Sequence, residues 1–329
     1  MSSDLPRVLV TGGAGYIGSH ACKALSRAGF CPVVFDNLST GHGAAVKWGP
    51  LVEGDLSDRA ALDAAFAAHA PVAVLHFAAL SQVGESMADP GRYWRENVMG
   101  SLTLFEAARA AGVRHIVFSS TCATYGDQDG VILNEDTPQR PINAYGGSKL
   151  AIEQMLRDFA AISDLTYVIF RYFNVAGADP DAEIGEAHDP ETHLVPLVLQ
   201  AVSGARPALT IHGTDYATPD GTAIRDYVHV SDLVDAHVAG LQKLLDGGES
   251  GIYCLGTGTG FSVREVVAAA RAVTNREVPM EDGPRRAGDA VRLVCGSERA
   301  RDALGWEPAR SDMATMLRDA HRWHEGDGF

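Results

Sequence analysis

Short apolar runs alternate with longer amphipathic stretches through the first half of the chain, the pattern of βαβ units around a parallel sheet. Arg7–Thr11 reads as a first strand; Ile17, Ala21, Ala24, Leu25 and Ala28 then recur at helical spacing until Gly29 ends the helix. Residues 33–35, 51–54, 72–77, 115–119 and 165–171 read as five further strands, and helices are expected over 58–68, 92–111 and 145–161. Beyond Asn174 the texture changes. Residues 179–192 bring Asp, Pro, Glu and Gly in quick succession and read as a loop. A helix over 194–203, a strand over 209–212 and helices over 231–246 and 262–274 follow. The expected fold class is α/β, a doubly wound parallel sheet of the Rossmann type with a smaller C-terminal substrate-binding lobe. The division is placed at residues 1–176 and 177–329, with distal segments free to pack back on the first lobe.

Charge narrows the partners. At 329 residues with a formal net charge of −15, the chain offers no broad basic field for nucleic acid or an anionic membrane. No run of about 18 apolar residues is present, so no membrane span is expected. The first residues carry no basic segment followed by an apolar stretch, so no signal peptide is expected either. Cys22, Cys31, Cys122, Cys254 and Cys295 are scattered without a CxxC pair, as in reduced thiols of the cytoplasm. His188 and His193 lack a cysteine partner or HxxxH spacing, and no metal is expected.

The chemistry begins at Thr11-Gly12-Gly13-Ala14-Gly15-Tyr16-Ile17-Gly18, set between the first strand and the first helix. Glycines there permit the turn and let the backbone approach a pyrophosphate, while the helix N-terminus offers free N–H groups to the anion. Asp36 ends the second strand, where a carboxylate bonds the adenosine ribose and repels a 2′-phosphate, which selects NAD over NADP. Asp55 and the segment 77–79 follow later strands at their carboxyl ends, where ligands gather in such sheets.

Tyr145 and Lys149 stand four apart on an expected helix and share one face. Bringing a tyrosine from a pKa of about 10 to near 7 takes about 4 kcal/mol of preference for the phenolate, which nearby positive charge supplies. At the end of the fifth strand, Ser119, Ser120 and Thr121 offer hydroxyls for a substrate alcohol, and Thr121 is the choice among them. The same hydroxyls could instead cap backbone groups. Cys122 has no histidine partner and does not read as a nucleophile.

The glycine turn, the strand-end hydroxyl and the Tyr/Lys pair, in this order, resemble the extended short-chain dehydrogenase/reductase family. Further blocks resemble its UDP-glucose 4-epimerases: Asp36-Asn37-Leu38-Ser39, Val83-Gly84-Glu85-Ser86, Arg171-Tyr172-Phe173-Asn174, Arg225-Asp226-Tyr227-Val228-His229-Val230 and Arg285-Arg286-Ala287-Gly288-Asp289. The resemblance runs from Val8 to about Trp306. It implies that Gly12, Gly15, Tyr16, Ile17, Gly18, Asp36, Asn37, Asp55, Leu56, Phe77, Ala78, Ala79, Asn97, Tyr145, Lys149 and Phe173 line a tightly bound NAD. It implies that Tyr145 takes the proton of the sugar 4-hydroxyl while carbon 4 gives up hydride, with Lys149 and Thr121 beside it. The 4-keto sugar then turns over and receives the hydride on its other face. Asn174, His193, Leu194, His212, Arg225, Arg286 and Asp289, with Thr121, would hold the UDP-sugar, and a homodimer is expected.

Thr121 stands where the family commonly has Ser, and Ser81 where some members have Lys. Leu293 occupies a position at which other members carry Tyr or Cys, so N-acetyl sugars are left open. UDP-xylose/UDP-arabinose epimerisation would use the same catalytic residues. A nucleotide-sugar dehydratase would need Asp-Glu after Thr121, where Cys122-Ala123 stands, and a non-catalytic NAD sensor would typically lack Tyr145 or Lys149.

Overall fold

A computed structural model of the chain describes residues 5–128, 130–286, 289–326 and 328. Its centre is a seven-stranded parallel sheet. From one edge to the other the strands are Gly251–Cys254, Thr166–Arg171, His115–Ser119, Ala73–His76, Arg7–Thr11, Cys31–Asp36 and Leu51–Glu53. Val8, Leu9 and Val10 are all fully buried, which is why the middle strands read as unbroken apolar runs rather than alternating ones.

Helices cover both faces. On one, Leu25 of helix Tyr16–Arg27 and Leu233 and Leu241 of helix Val230–Leu245 pack against Val8, Val10 and Val34. On the other, Phe66, Leu104, Ile152 and Leu156, from helices Arg59–His69, Gly100–Ala110 and Ala144–Ala161, pack against Leu9, Val33 and Val74. A third apolar cluster lies apart from the sheet. There Val198, Val266, Met316 and Leu317 join helices Leu194–Ser203, Val263–Thr274 and Met313–Glu325.

Local chemistry fixes the helix starts. Asn143 accepts from Gly146 N–H at 2.8 Å ahead of Ala144–Ala161, and Ser262 and Glu265 form a reciprocal capping box ahead of Val263–Thr274. The six strands and four helices expected in the first half are present, with ends shifted by a residue or two. The expected helix over 92–111 is continuous but uneven: Pro90–Tyr93 is followed by a π-helical stretch at Trp94–Met99 and then by Gly100–Ala110. A short helix, Val83–Ala88, precedes it.

The seventh strand, Gly251–Cys254, comes from far down the chain and was not visible as a pattern, because four residues carry too little periodicity. The same holds for the small parallel pair Asn174–Ala176 with Tyr227–His229, and for strand Arg292–Cys295, which runs between Ile224–Arg225 and Ile132–Leu133.

Candidate active site

The chain leaves the central strand Arg7–Thr11 toward Cys31–Asp36 on one side and later returns to Ala73–His76 on the other. A crevice opens at the carboxyl ends where the strand order reverses, the usual ligand position in such sheets. Gly12 sits there with φ +73°, and a Cβ on it would stand 2.6 Å from the Ala78 backbone nitrogen. A Cβ on Gly18 would run into the Gly12 carbonyl. Both positions therefore demand glycine. Helix Tyr16–Arg27 begins at Gly15 with no side-chain cap, leaving its first N–H groups to an incoming anion. This cradle fits a dinucleotide pyrophosphate.

Asp36 closes one wall of the crevice. Its carboxylate accepts from the Ala14 and Leu38 amides, each at 2.9 Å, which ties the second strand end to the glycine turn. Asn37 donates to Asp55 at 2.7 Å, and Ser57, with that bond, holds the Asp55 carboxyl below its ordinary range. Phe77 and Ala78 both donate their amides to the Thr11 carbonyl at 3.0 Å, and Ala79 follows half-buried. Ile17 packs on the core behind the turn, Leu56 lies against Gly100, and the Tyr16 hydroxyl donates to the Gly177 carbonyl at 2.6 Å. Asn97 is fully buried in the π-helical stretch. Its amide clamps both backbone groups of Leu80, at 2.8 and 3.0 Å, and reaches Ser148 at 3.1 Å. It braces the loop after the fourth strand.

Thr121, Tyr145 and Lys149 come together at the end of the fifth strand. Ser119 is engaged with the Tyr172 hydroxyl and Ser120 donates to Glu153 at 2.6 Å, which leaves Thr121 as the hydroxyl beside the Tyr145 phenol. The Thr121 oxygen also accepts from Ala123 N–H at 3.1 Å, so it caps a short 3₁₀ turn as well. Burial lifts the Tyr145 phenol to about 12, with Thr121 acting in the opposite direction. Burial also pulls Lys149 down to about 7, against the charge of Glu153.

Glu153 is the residue that sequence reasoning passed over. It is fully buried one turn beyond Lys149, and Arg171 grips it bidentately at 2.6 and 2.9 Å. Arg171 also donates to the Tyr125 hydroxyl at 2.7 Å. The available signal was the i, i+4 spacing of Lys149 and Glu153 on a helix face already assigned to the interior. Asp226, buried at 1 % exposure, was likewise unread: it gathers the amides of Thr257, Gly258 and Cys295.

The remaining candidates lie on the second half of the chain. Phe173 packs on the buried cluster of Cys122, Tyr125 and Cys295, and Asn174 faces Tyr227 across the small parallel pair. Arg225 pairs with Asp289 at 3.3 Å and stands in register with Leu293 on the neighbouring strand. His212 ends the strand Leu209–His212. Arg286 is exposed, while Arg285 beside it binds Asp215 at 2.7 Å and lies over the Tyr216 ring. Ala287 and Gly288 of that block lie outside the described residues.

His193 and Leu194 are the N-cap and first residue of helix Leu194–Ser203. The sequence set His188 and His193 aside for want of ligand spacing. The loop folds both histidines onto Glu186 and Glu191. Burial pushes the Glu186 carboxyl up, but the bonds from His188 and His193 prevail and hold it at about 2.

Residues 8–256 match the model of the "NAD dependent epimerase/dehydratase family". The chain belongs to this family. It is 52 % identical over 317 residues to the UDP-glucose 4-epimerase of Rhizobium leguminosarum bv. trifolii, covering 96 % of this chain and 97 % of the relative. Its fold matches a crystal structure of the Brucella ovis UDP-glucose 4-epimerase in complex with NAD, with a TM-score of 0.94, 48 % identity and coverage of 96 % and 98 %. It also matches the Stenotrophomonas maltophila UDP-glucose 4-epimerase with bound NAD and formylated UDP-arabinopyranose, with a TM-score of 0.94, 41 % identity and coverage of 98 % of each chain. The family is one of NAD-dependent epimerases and dehydratases, and these relatives, matched over nearly the whole chain, are UDP-glucose 4-epimerases. No helix among the described residues is long and apolar enough to cross a membrane.

Proposed function

We propose that the protein interconverts UDP-glucose and UDP-galactose at carbon 4, using an NAD that stays bound through the cycle. The observation that best supports this reading is the meeting of Tyr145, Thr121 and Lys149 at the carboxyl end of strand His115–Ser119, on the same end of the sheet as the glycine turn that follows Arg7–Thr11. When bound, NAD would supply reversible hydride exchange at the sugar carbon 4. Tyr145 accepts the 4-hydroxyl proton at its phenol oxygen and later returns it. Thr121 holds the same oxygen by hydrogen bonding, and Lys149 supplies positive charge to the phenolate. Gly12, Gly15, Tyr16, Ile17 and Gly18 cradle the pyrophosphate, Asp36 takes the ribose, and Asn37, Asp55, Leu56, Phe77, Ala78, Ala79, Asn97 and Phe173 enclose the rest.

Arg225 and Arg286 suit a diphosphate because each offers a planar fork of donors. In this reading Arg225 exchanges Asp289 for the nucleotide, and Asn174, His193, Leu194 and His212 complete the uridine side. A firmly held nucleotide and a loosely held sugar let the 4-keto ring turn over between the two hydride steps. We read residues 1–176 as the NAD-binding lobe and 177–329 as the nucleotide-sugar lobe, with Val230–Leu245 and Gly251–Cys254 returning to the first. Exposed Met87, Trp94 and Met99 on successive helices support a homodimer, and five free thiols, three of them (Cys122, Cys254 and Cys295) gathered in one buried cluster without a disulfide, support a cytoplasmic setting.

The test is a panel of UDP-glucose, UDP-N-acetylglucosamine and UDP-xylose given to the purified protein without added cofactor. Epimer from UDP-glucose is expected. Epimer from UDP-xylose alone would move the assignment to a pentose, and no epimer from any of them, with NAD bound, would defeat it.

A further inference from the structure

The loop ahead of helix Leu194–Ser203 gathers four side chains able to ligate a metal, three of which the proposed reaction leaves without a role. Glu186, His188, Glu191 and His193 each offer one ligand atom, and these atoms all lie within 4.8 Å of one another. His193 Nδ1 is 2.8 Å from Glu186 Oε1 and 3.1 Å from Glu191 Oε1. His188 Nδ1 is 3.1 Å from Glu186 Oε1 and 3.9 Å from Glu191 Oε2. In a tetrahedral zinc site with bonds of about 2.0–2.1 Å, neighbouring ligand atoms stand about 3.3 Å apart. Three of these separations lie within about 0.5 Å of that value, and the longest is to the other oxygen of Glu191.

Charge and burial point the same way. The Glu186 and Glu191 side chains are 5 % and 6 % exposed, and two carboxylates buried side by side require positive charge. Among the described residues no lysine or arginine pairs with either; their partners are the two imidazoles. A second cluster, Asp179, Asp181 and Glu183, shows the contrast. It encloses the Lys23 ammonium, 2.7 Å from Asp179, and offers no imidazole, whereas at the first cluster the imidazoles carry the balancing charge until an ion displaces their protons.

The four groups are also held from behind. Thr192 and His193 donate their amides to Glu191 at 2.7 Å, and the Trp323 indole donates to the Glu186 carbonyl at 3.0 Å. A cavity of about 330 Å³, lined also by Gln200, Trp323 and His324, opens from the cluster to solvent and gives an ion its way in.

We propose that Glu186, His188, Glu191 and His193 bind one divalent transition metal of the zinc class. Two imidazoles with two carboxylates suit zinc and disfavour calcium or magnesium, which take oxygen ligands in greater number. Each imidazole binds through the Nδ1 lone pair, so its Nδ1 proton leaves to solvent as the ion enters. The bound ion ties four residues of one loop to the start of helix Leu194–Ser203 and staples the loop in place.

The test is calorimetric titration of chelator-treated, NAD-loaded protein with zinc chloride, beside His188→Ala and the double variant His188→Ala/Glu191→Gln. One zinc per chain is expected for the natural sequence, with affinity at least about 100-fold weaker in the double variant. Tm rises on zinc addition only where the ligands are intact. Cobalt in place of zinc gives the visible bands of a four-coordinate site. No stoichiometric binding to the natural sequence overturns the proposal, and so does equal binding by the double variant. Retained NAD reports folding of each variant, and should the double variant not fold, His188→Ala alone decides: unchanged affinity there overturns the site.

Discussion

Lys149 donates its ammonium to the backbone carbonyl of Ser119 at 2.9 Å, with 3 % of the residue exposed and the Phe118 ring beneath the charge. A lysine so placed is held by one neutral acceptor, and burial draws its pKa down to about 7. The folded chain therefore binds fewer protons than the unfolded chain between pH 7 and about 10.4, the ordinary lysine value. Stability from this group consequently rises with pH across that window, and the full penalty is present below pH 7. Lys149→Met is expected to raise Tm most at pH 6, with the gain shrinking toward pH 10, while kcat falls by about 10²–10⁴-fold. Thermal melts at pH 6, 8 and 10 check the sign; a gain that grows with pH would contradict the buried charge.

Tyr145→Phe removes only the phenol oxygen. Its ring packs edge-on against Tyr93 with centroids 6.4 Å apart, so the shape of the site survives. Turnover is expected to drop by about 10²–10⁴-fold with NAD retained. In the natural protein the phenol, pushed up to about 12 by burial, should titrate lower once NAD is loaded, because the cofactor's cationic ring favours the phenolate. Absorbance near the phenolate band, with and without NAD, reads the shift; loss of cofactor in the variant would make Tyr145 a packing residue.

Gly12→Ala tests the cradle. The new Cβ would face the Ala78 nitrogen at 2.6 Å from a backbone at φ +73°, and neither can move without breaking the hydrogen bonds that the Phe77 and Ala78 amides donate to the Thr11 carbonyl. A destabilisation of about 1–3 kcal/mol and purification with little NAD are expected. Cofactor content by absorbance and Tm together decide it; full NAD occupancy would mean the turn is not the pyrophosphate seat.

Why the glycine turn and the Tyr/Lys pair were legible, and Glu153 and the His/Glu loop were not, has a physical reason. Gly12, Asp36, Tyr145 and Lys149 take their positions from a strand end or a single helical turn, and local spacing reports those directly. The partnership of Glu153 with Arg171 spans 18 residues and depends on how a helix docks on a strand. His188 and His193 meet Glu186 and Glu191 only because an irregular loop folds on itself, and no period encodes that. Strand Gly251–Cys254 was lost for the same cause, since its place beside Thr166–Arg171 is fixed by tertiary packing alone.

Glu153→Gln joins these two levels. The carboxylate accepts from Ser120 at 2.6 Å and from Arg171 at 2.6 and 2.9 Å, all inside the core, and its charge is what lifts Lys149 toward protonation. Neutralising it leaves the buried Arg171 guanidinium without its counter-charge, a change that typically destabilises by about 3–5 kcal/mol. It also removes the upward pull of the Glu153 charge on Lys149, so that the ammonium gives way to the neutral amine at lower pH than about 7. Less positive charge then reaches Tyr145 at neutral pH. Two measurements separate the effects: Tm reports the stranded arginine, and the pH profile of kcat reports Lys149. A lowered Tm with an unmoved pH profile would confine Glu153 to the fold, whereas a displaced profile would make it a positioning residue for the reaction.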